Sequence, residues 1–190
     1  MSKDHQNEAL GHVCPPSVIR FLNSPLRTLA QNPRKIFSKY IKPGDYVADL
    51  GCGGGVFAVE MAKMVGEQGH VYAVDLQAEM LEFTRKLAAK KGMSERMTIL
   101  QCKQDDLGLV DVKVDFACAM YVVHEVPDRN RFFSQLHQLL KPGGRFLMVD
   151  PKGHVTKQQF QQLISEAKTE GLKEIEPAKL FWSFGVVFGR

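Results

Sequence analysis

The feature that most constrains the fold is a regular alternation of strand-like and helix-like runs from about residue 44 onward. Short β-branched apolar runs are separated by segments whose apolar residues recur at helical spacing. Strands that alternate with helices form βαβ units, which give a mostly parallel sheet with helices on both faces. The final run, "LKEIEPAKLFWSFGVVFGR", holds two strand-like stretches with no helix between them. The sequence therefore predicts an α/β, doubly wound, seven-stranded sheet, mostly parallel, with an antiparallel C-terminal hairpin strand.

Residues 1 to about 40 have a different character from the rest of the chain. Prolines interrupt the stretch "CPPSVIRFLNSPLRTLAQNPRKIFSKY", so it is predicted to hold short helices rather than one long helix. The same stretch mixes apolar residues with arginines and lysines. We therefore predict an N-terminal helical cap or lid over residues 1–40 and the main domain over residues 41–190.

Composition narrows the class of protein. Hydrophobic residues make up 44% and charged residues 24% of the 190 residues, as in globular domains. The net charge of +4 is spread along the chain and forms no basic run, so a nucleic-acid partner is not indicated. The N-terminus lacks the apolar core of a signal peptide, and no stretch reaches the roughly 20 apolar residues of a membrane span. A cytoplasmic protein without a transmembrane segment is predicted.

A glycine cluster lies between the first strand and the first helix, in "YVADLGCGGGVFAVEM". This junction lies at the carboxyl ends of the strands, where doubly wound sheets bind their ligands. The dinucleotide-binding pattern G-x-G-x-x-G, begun at Gly51, meets Val56 at its third glycine, which disfavours a nicotinamide-dependent oxidoreductase. The spacing that fits is D-x-G-x-G-x-G, which begins at Asp49 and ends at Gly55.

This spacing resembles motif I of the class I S-adenosylmethionine-dependent methyltransferases, and among them the small-molecule branch with type 11 methyltransferase domains. Later features support the resemblance in order along the chain. Asp75 ends the second strand, "HEVPD" follows the fourth strand, and "LLKPGGRFLMVDP" leads through the fifth. The resemblance covers about Lys39 to Arg190. It implies a Rossmann-like fold, methyl transfer, S-adenosyl-L-methionine as the cofactor and S-adenosyl-L-homocysteine as its product.

The resemblance also implies a cofactor site. The bare backbone of the glycines lets the methionine end of the cofactor approach, and the Asp75 carboxylate accepts hydrogen bonds from the ribose hydroxyls. Relatives carry an acid near adenine after the third strand, but Lys103 falls at that position here and Gln104 is the candidate in its place. The implied cofactor-binding residues are Asp49, Gly51, Gly53, Gly55, Asp75, Leu76, Gln104 and Ala119.

Candidate catalytic residues are expected at the ends of later strands. Positioning supplies most of the catalysis of an in-line methyl transfer, and a base is needed only when the acceptor loses a proton. His124 is the candidate base because an unperturbed histidine titrates near neutral pH, although a polar helix cap is the alternative role. Tyr121 is the second catalytic candidate, and Glu125 and Asp150 are expected nearby. His12 and Cys14 make only half a metal site, so no metal is predicted.

The sequence leaves the methyl acceptor open. "AMYVVHE" stands where adenine-N6 and glutamine methyltransferases carry an Asn-Pro-Pro-Tyr-type stretch, and the short cap favours a small molecule, including an apolar one. The basic and apolar N-terminus also allows a quinone or lipid at a membrane surface, three cysteines allow arsenite, and the basic pI allows RNA. The alternative from another class is a cofactor-binding partner or sensor without catalysis. Both a monomer and a homodimer fit, because the aromatic "FWSFGVVFGR" suits a buried strand or pairing with a second copy.

Overall fold

The structure, a computed structural model, describes residues 32–190, which form one seven-stranded sheet with helices on both faces. The strands, in chain order, are β1 (Tyr46–Leu50), β2 (His70–Asp75), β3 (Met97–Gln101), β4 (Val114–Met120), β5 (Leu140–Pro151), β6 (Lys173–Pro177) and β7 (Ser183–Gly189). The α-helices are α1 (Pro33–Phe37), α2 (Val56–Val65), α3 (Ala78–Lys90), α4 (Arg129–Leu139) and α5 (Lys157–Thr169). Two 3₁₀ helices, Ser94–Arg96 and Val123–Glu125, precede β3 and follow β4.

The strand order across the sheet is β3-β2-β1-β4-β5-β7-β6. Strands β1 to β5 are parallel, and β7 pairs antiparallel with both β5 and β6. The chain moves outward from β1 in one direction and then restarts at β4 on the other side. The crevice of a doubly wound sheet opens at this reversal, beyond the carboxyl ends of β1 and β4. The predicted fold class, including the antiparallel C-terminal hairpin strand, is confirmed.

Local signals explain where several helices begin and end. The Asp128 side chain accepts a hydrogen bond from the Arg131 amide, 3.0 Å away, at the start of α4. Thr156 and Gln159 form a reciprocal capping box at the start of α5. Gly66 ends α2. A side-chain N-cap stabilises a helix by about 1 kcal/mol, so Asp128 and Thr156 fix where α4 and α5 begin.

Two apolar layers cover the two faces of the sheet. On one face, α4 and α5 contribute buried residues that include Phe133, Leu136 and Phe160. On the other face, α1, α2 and α3 contribute buried residues that include Phe37 and Met61. Side chains of the central strands alternate between these two layers, which is why the strands are apolar on both faces.

Only the end of the predicted N-terminal cap lies within the described residues. The α1 side chain of Phe37 is fully buried and packs edge-on against Phe57 and Phe116, with ring centroids 5.7 and 6.1 Å apart. The rest of the predicted cap, residues 1–31, lies outside the described part of the chain. Among residues 32–190, no helix combines the length and the apolar character needed to cross a membrane.

Candidate functional site

The glycine turn joins β1 to α2 and is hydrogen-bonded to the end of β2. The amides of Gly51 and Cys52 both donate hydrogen bonds to the carbonyl oxygen of Val74, at 2.8 and 2.9 Å. Gly51, Gly53 and Gly55 all have positive φ angles, of 78°, 53° and 79°. A residue with a β-carbon rarely adopts this conformation, so the turn requires glycine at alternate positions.

The three alternate glycines face different surroundings. A β-carbon on Gly51 would overlap a γ-carbon of Val122, and one on Gly55 would lie 2.7 Å from a γ-carbon of Thr84. A β-carbon on Gly53 would meet no atom within 4 Å. The space beside Gly51 and Gly55 is therefore filled by the protein itself, and Gly53 is the glycine whose bare face is open to a ligand.

The Asp75 carboxylate lies directly against this turn. Its Oδ2 accepts a hydrogen bond from the Gly53 amide at 2.8 Å, and its Oδ1 accepts one from the Gln77 amide at 2.9 Å. The carbonyl of Gly53 accepts a hydrogen bond from the buried Thr84 hydroxyl at 2.7 Å. Burial raises the pKa of Asp75, although the amide hydrogen bonds act in the opposite direction. An ionised carboxylate offers about four acceptor positions, so Asp75 can also accept a hydrogen bond from a ligand hydroxyl.

Asp49 is the more deeply buried acid of the site. It is 1% exposed, and its Oδ1 accepts a hydrogen bond from the Cys118 thiol, with 3.4 Å between the sulfur and the oxygen. Its Oδ2 has no hydrogen-bond partner among the described residues. The pKa of Asp49 is raised to about 7, mainly by burial and to a smaller extent by the charge of Asp75, while hydrogen bonds from the Cys118 thiol and the Ala58 backbone act in the opposite direction. A buried carboxylate oxygen without a donor is costly, which fits a position that receives a ligand donor.

The other predicted cofactor-binding residues lie at neighbouring strand ends. Leu76 follows β2, and its carbonyl accepts a hydrogen bond from the Gln101 side chain at 2.8 Å. Ala119 is fully buried near the end of β4. Gln104 lies in an exposed turn that closes where the Lys103 amide donates to the Asp106 carbonyl, 2.8 Å away. The site roles of all these residues remain predictions.

A second group of polar side chains lies at the ends of β4 and β5. The His124 Nδ1 atom is 2.6 Å from Asp150 Oδ1, and its Nε2 is 3.8 Å from Glu125 Oε1. Asp150 is fully buried, and its Oδ2 has no hydrogen-bond partner within residues 32–190. Burial lowers the pKa of His124, but the hydrogen bond and charge of Asp150 outweigh burial and raise it. The pair therefore holds a proton more tightly than an isolated histidine.

Tyr121, three residues before His124, contacts the C-terminal hairpin. It follows β4 with a φ of 69°, an unusual conformation for an aromatic residue. Its hydroxyl is 3.0 Å from the Ser183 hydroxyl at the start of β7, and its amide donates to Val149 at 2.7 Å. The structure thus brings together three of the candidates, Tyr121, His124 and Asp150, at one edge. Backbone strain of this kind concentrates at functional sites.

Four residues that contact the candidate site residues were not predicted from the sequence, namely Thr84, Val122, His154 and Ser183. Thr84 gave one signal, a hydroxyl on the apolar stripe of α3, where it is fully buried. No sequence signal indicated Val122 or Ser183, because the residues that they contact come from distant parts of the chain. His154 packs edge-on against His124, with ring centroids 5.7 Å apart, from the loop after β5.

The cysteines do not form a metal-binding arrangement within the described residues. Between residues 32 and 190, no cluster of three or more His, Cys, Asp or Glu side chains is suited to hold a metal ion. Burial raises the pKa of Cys102 to about 11 and also raises that of Cys118. Protonated thiols are poor ligands for soft metals, which disfavours the arsenite hypothesis. His12 and Cys14 lie outside the described residues.

The site's residues fit S-adenosylmethionine. The open face of Gly53, the buried Asp49 carboxylate with its unpartnered Oδ2 and the Asp75 carboxylate all lie at the carboxyl ends of β1 and β2, beside the switch point of the sheet. They suit a ligand with an amine at one end and vicinal hydroxyls in the middle. The fold and this donor set together define a class I S-adenosylmethionine-dependent methyltransferase.

A protein-family model described as a methyltransferase domain matches residues 41–181. The chain belongs to this methyltransferase domain family. A crystal structure of an S-adenosylmethionine-dependent methyltransferase from Aquifex aeolicus is similar, with a TM-score of 0.84 and 26% identity, over 93% of this chain and 99% of that one. The predictions of a methyltransferase and of S-adenosylmethionine as the cofactor are confirmed at the level of the family.

One further solved structure and two curated proteins are also similar to this chain. Fibrillarin from Aeropyrum pernix, solved with natively bound S-adenosylmethionine, shares the fold, with a TM-score of 0.64 and 16% identity over 78% of this chain and 68% of that one. The 2-phytyl-1,4-naphtoquinone methyltransferase of Trichormus variabilis is 33% identical over 109 residues, 57% of this chain and 48% of that protein. A ubiquinone/menaquinone biosynthesis C-methyltransferase of Brucella anthropi is 29% identical over 109 residues, 57% of this chain and 41% of that protein. The chain spans about half the length of these curated relatives.

Proposed function

We propose that the protein transfers the methyl group of S-adenosylmethionine to a small hydroxy-aromatic acceptor of the quinol type. The observation that carries this proposal is the pair formed by the partly exposed His124 and the buried Asp150 at the edge where β4 and β5 end. A histidine held by a carboxylate suits an acceptor that must lose a hydroxyl proton before it reacts. The names of the two quinone-biosynthesis relatives favour a quinol within that class.

The cofactor is proposed to occupy the crevice at Gly53. Asp75 would accept hydrogen bonds from the ribose hydroxyls, and Asp49 Oδ2 would face the amine of the methionine end. Gly53 would let that end approach the backbone without a side-chain clash. When bound, S-adenosylmethionine supplies a methyl group on a positively charged sulfur, which leaves as a neutral thioether.

The proton steps belong to the chain's own residues. Asp150 holds the Nδ1–H of His124, so Nε2 is the atom that accepts the proton of the acceptor hydroxyl. The Asp150 carboxylate then stabilises the charged imidazolium. The electron pair of the resulting phenolate forms the new bond to the methyl carbon through a ring carbon. Loss of the proton on that carbon and return of one to the oxygen restore the quinol, so one proton is released per turnover.

The test is methyl transfer to a reduced 2-alkyl-1,4-naphthoquinone by the wild type and by His124→Gln. We expect the variant to lose about 100-fold or more in kcat. Its affinity for S-adenosylhomocysteine, measured by calorimetry, should stay unchanged. His137→Gln, a histidine substitution in the last turn of α4, is the matched control and should keep the wild-type rate.

The pH profile gives an independent readout. Because only neutral His124 accepts a proton and Asp150 raises its pKa, the wild-type rate should rise with pH through a pKa above the ordinary 6.5 of histidine. Asp150→Asn removes the charge, so the rising limb should move to lower pH while the maximal rate falls at least about tenfold. An unchanged rate in His124→Gln would contradict the proposal. Tight binding of S-adenosylhomocysteine with no turnover of any hydroxy-aromatic acceptor would instead favour the cofactor-binding protein without catalysis.

A further inference from the structure

The tip of the hairpin between β6 and β7 exposes two adjacent aromatic side chains. Phe181 is 72% and Trp182 is 69% exposed, the largest exposed fractions of any aromatic side chain among residues 32–190. Aromatic rings usually pack in cores or interfaces, so two adjacent exposed rings form an apolar patch of the kind that marks an interaction site. We call residues 178–182 the hairpin tip.

The backbone of the hairpin tip is fixed in this exposed arrangement. Trp182 has a φ of 49°, in the left-handed region that aromatic residues rarely adopt. Its carbonyl accepts a hydrogen bond from the Lys152 amide at 3.2 Å, and the Ser183 hydroxyl donates to the Phe181 carbonyl at 2.9 Å. These backbone hydrogen bonds therefore hold the hairpin tip in a defined conformation, in which the two rings are exposed.

The charges around the hairpin tip are basic. Lys179 lies within it, and Lys152 lies beside it, with Nζ 5.3 Å from the centre of the Phe184 ring. Both lysines are exposed, and the nearest acid along the hairpin is Glu176, at the end of β6. Exposed aromatic rings flanked by lysines are suited to the boundary between lipid headgroups and acyl chains, where the rings insert and the lysines meet anionic phosphates.

The hairpin tip lies beside the proposed acceptor half of the site. Ser183, the residue after Trp182, pairs with Pro151 in the sheet, and its hydroxyl is 3.0 Å from that of Tyr121. Pro151 directly follows Asp150. A surface that engages the hairpin tip therefore faces the edge of the sheet that carries the His124–Asp150 pair.

We propose that the hairpin tip docks on an anionic lipid surface, with Phe181 and Trp182 inserted at the interface and Lys152 and Lys179 against the headgroups. The basic charge selects lipid over a purely apolar partner such as a second copy of the hairpin tip. Lipid docking requires no methyl transfer, so this inference and the proposed function can fail separately.

The experiment uses Trp182, which is the only tryptophan of the chain. Its fluorescence therefore reports on the hairpin tip alone. We expect a blue shift with mixed vesicles of phosphatidylcholine and phosphatidylglycerol, a much smaller shift with phosphatidylcholine alone, and weaker binding as salt is added. The apparent partition constant comes from titrating the full chain with vesicles.

Two variants test the two parts of the surface and keep the reporter. Phe181→Ser should weaken binding to the mixed vesicles about tenfold by removing one inserted ring. The double variant Lys152→Gln with Lys179→Gln should weaken it about tenfold as well and flatten its salt dependence. Phe83→Ser is the matched control, because Phe83 is 43% exposed on α3, and it should bind as the wild type does.

Three outcomes would overturn the inference. The first is no shift of Trp182 emission with mixed vesicles, and the second is an equal shift in wild type and Phe181→Ser. The third is a blue shift that grows with protein concentration without vesicles and accompanies dimer formation in ultracentrifugation, which would assign the hairpin tip to a second copy. Unchanged affinity for S-adenosylhomocysteine in each variant shows that the variants are folded.

Discussion

The proposed cofactor half and the proposed acceptor half of the ligand edge are built from different kinds of contact. In the cofactor half, at the ends of β1 and β2, backbone amides and carbonyls of the glycine turn meet Asp75 and Thr84. In the acceptor half, at the ends of β4 and β5, side chains meet side chains: His124 with Asp150, and Tyr121 with Ser183. Backbone contacts depend on the path of the chain, whereas side-chain pairs can change while the fold stays. The structure of the cofactor half is therefore coupled to folding, whereas the side chains of the acceptor half can change without loss of the fold.

One property is common to both halves. Each contains a buried carboxylate with one oxygen that has no hydrogen-bond partner within residues 32–190, Asp49 in the cofactor half and Asp150 in the acceptor half. The donors to their other oxygens differ, because Asp49 accepts a hydrogen bond from a thiol and Asp150 accepts one from a histidine. A thiol is a weak donor and a histidine can carry a full positive charge. The acid of the cofactor half is therefore less well compensated than that of the acceptor half.

The largest expected effect comes from Gly51→Ala. The φ of 78° costs about 1 kcal/mol for an alanine. The overlap with Val122 forces a local shift that costs about 1–3 kcal/mol more. We expect the free energy of unfolding, measured in urea, to fall by about 3 kcal/mol.

Two further variants sharpen this result. Adding Val122→Ala to Gly51→Ala removes the overlap and should leave only the backbone cost of about 1 kcal/mol together with that of the small cavity. Gly53→Ala meets no atom, so it should lose only about 1 kcal/mol of stability. Its affinity for S-adenosylhomocysteine should fall at least about tenfold, because the new methyl group enters the proposed crevice. Equal stability losses at Gly51 and Gly53 would contradict the packing difference.

The next effect is on cofactor binding. Asp75→Ala removes a charged acceptor for two ligand hydroxyls, so we expect the affinity for S-adenosylhomocysteine to fall about 100-fold in calorimetry. His124→Gln, its counterpart in the acceptor half, should leave this affinity unchanged. If both variants weakened binding alike, the division of the edge into two halves would be wrong.

The fold was largely predictable because its signals are local. The apolar periods indicate the strands and helices, and residue types that cap helices stand where the structure begins or ends them, at Asp128, Thr156 and Gly66. The start of β5 was not predictable. The stretch "KPGG" is typical of a helix stop, and α4 does end just before it, at Leu139; the same stretch nevertheless lies within β5, which begins at Leu140 and pairs with β4 across a register shift. Pairing between strands decides that boundary, and no local pattern records it.

For the site, the sequence pattern predicted the glycine turn but not the side chains that pack around it. The spacing from Asp49 to Gly55 identified the turn, but it does not show that Val122 fills the space beside Gly51. The aromatic residues of the last strands were compatible with a buried strand. The structure buries Phe188 but leaves Phe181 and Trp182 exposed, because only the latter two lie on the turn before β7. Such differences depend on neighbours that are distant in sequence.

The smallest expected effect concerns the poorly compensated acid of the cofactor half. The pKa of Asp49 is about 7 in the folded protein, against an ordinary 3.8, so the folded state binds its proton more tightly than the unfolded state does. Its contribution to stability therefore falls as pH rises from about 4 to about 7. Asp49→Asn removes this titration, and its amide oxygen can still accept from Cys118.

We therefore expect Asp49→Asn to raise the free energy of unfolding at about pH 8 and to leave it nearly unchanged at about pH 4. Glu95→Gln, at an exposed acid, controls for net charge and should show no such pH dependence. The same Asp49→Asn variant should bind S-adenosylhomocysteine more weakly, since it loses the acceptor for the ligand amine. An equal stability change at both pH values would show that Asp49 is fully ionised and compensated in the fold. A gain in stability together with a loss of binding would mean that Asp49 serves cofactor binding at the expense of the stability of the fold. We expect no residue of the acceptor half to show this trade-off as strongly.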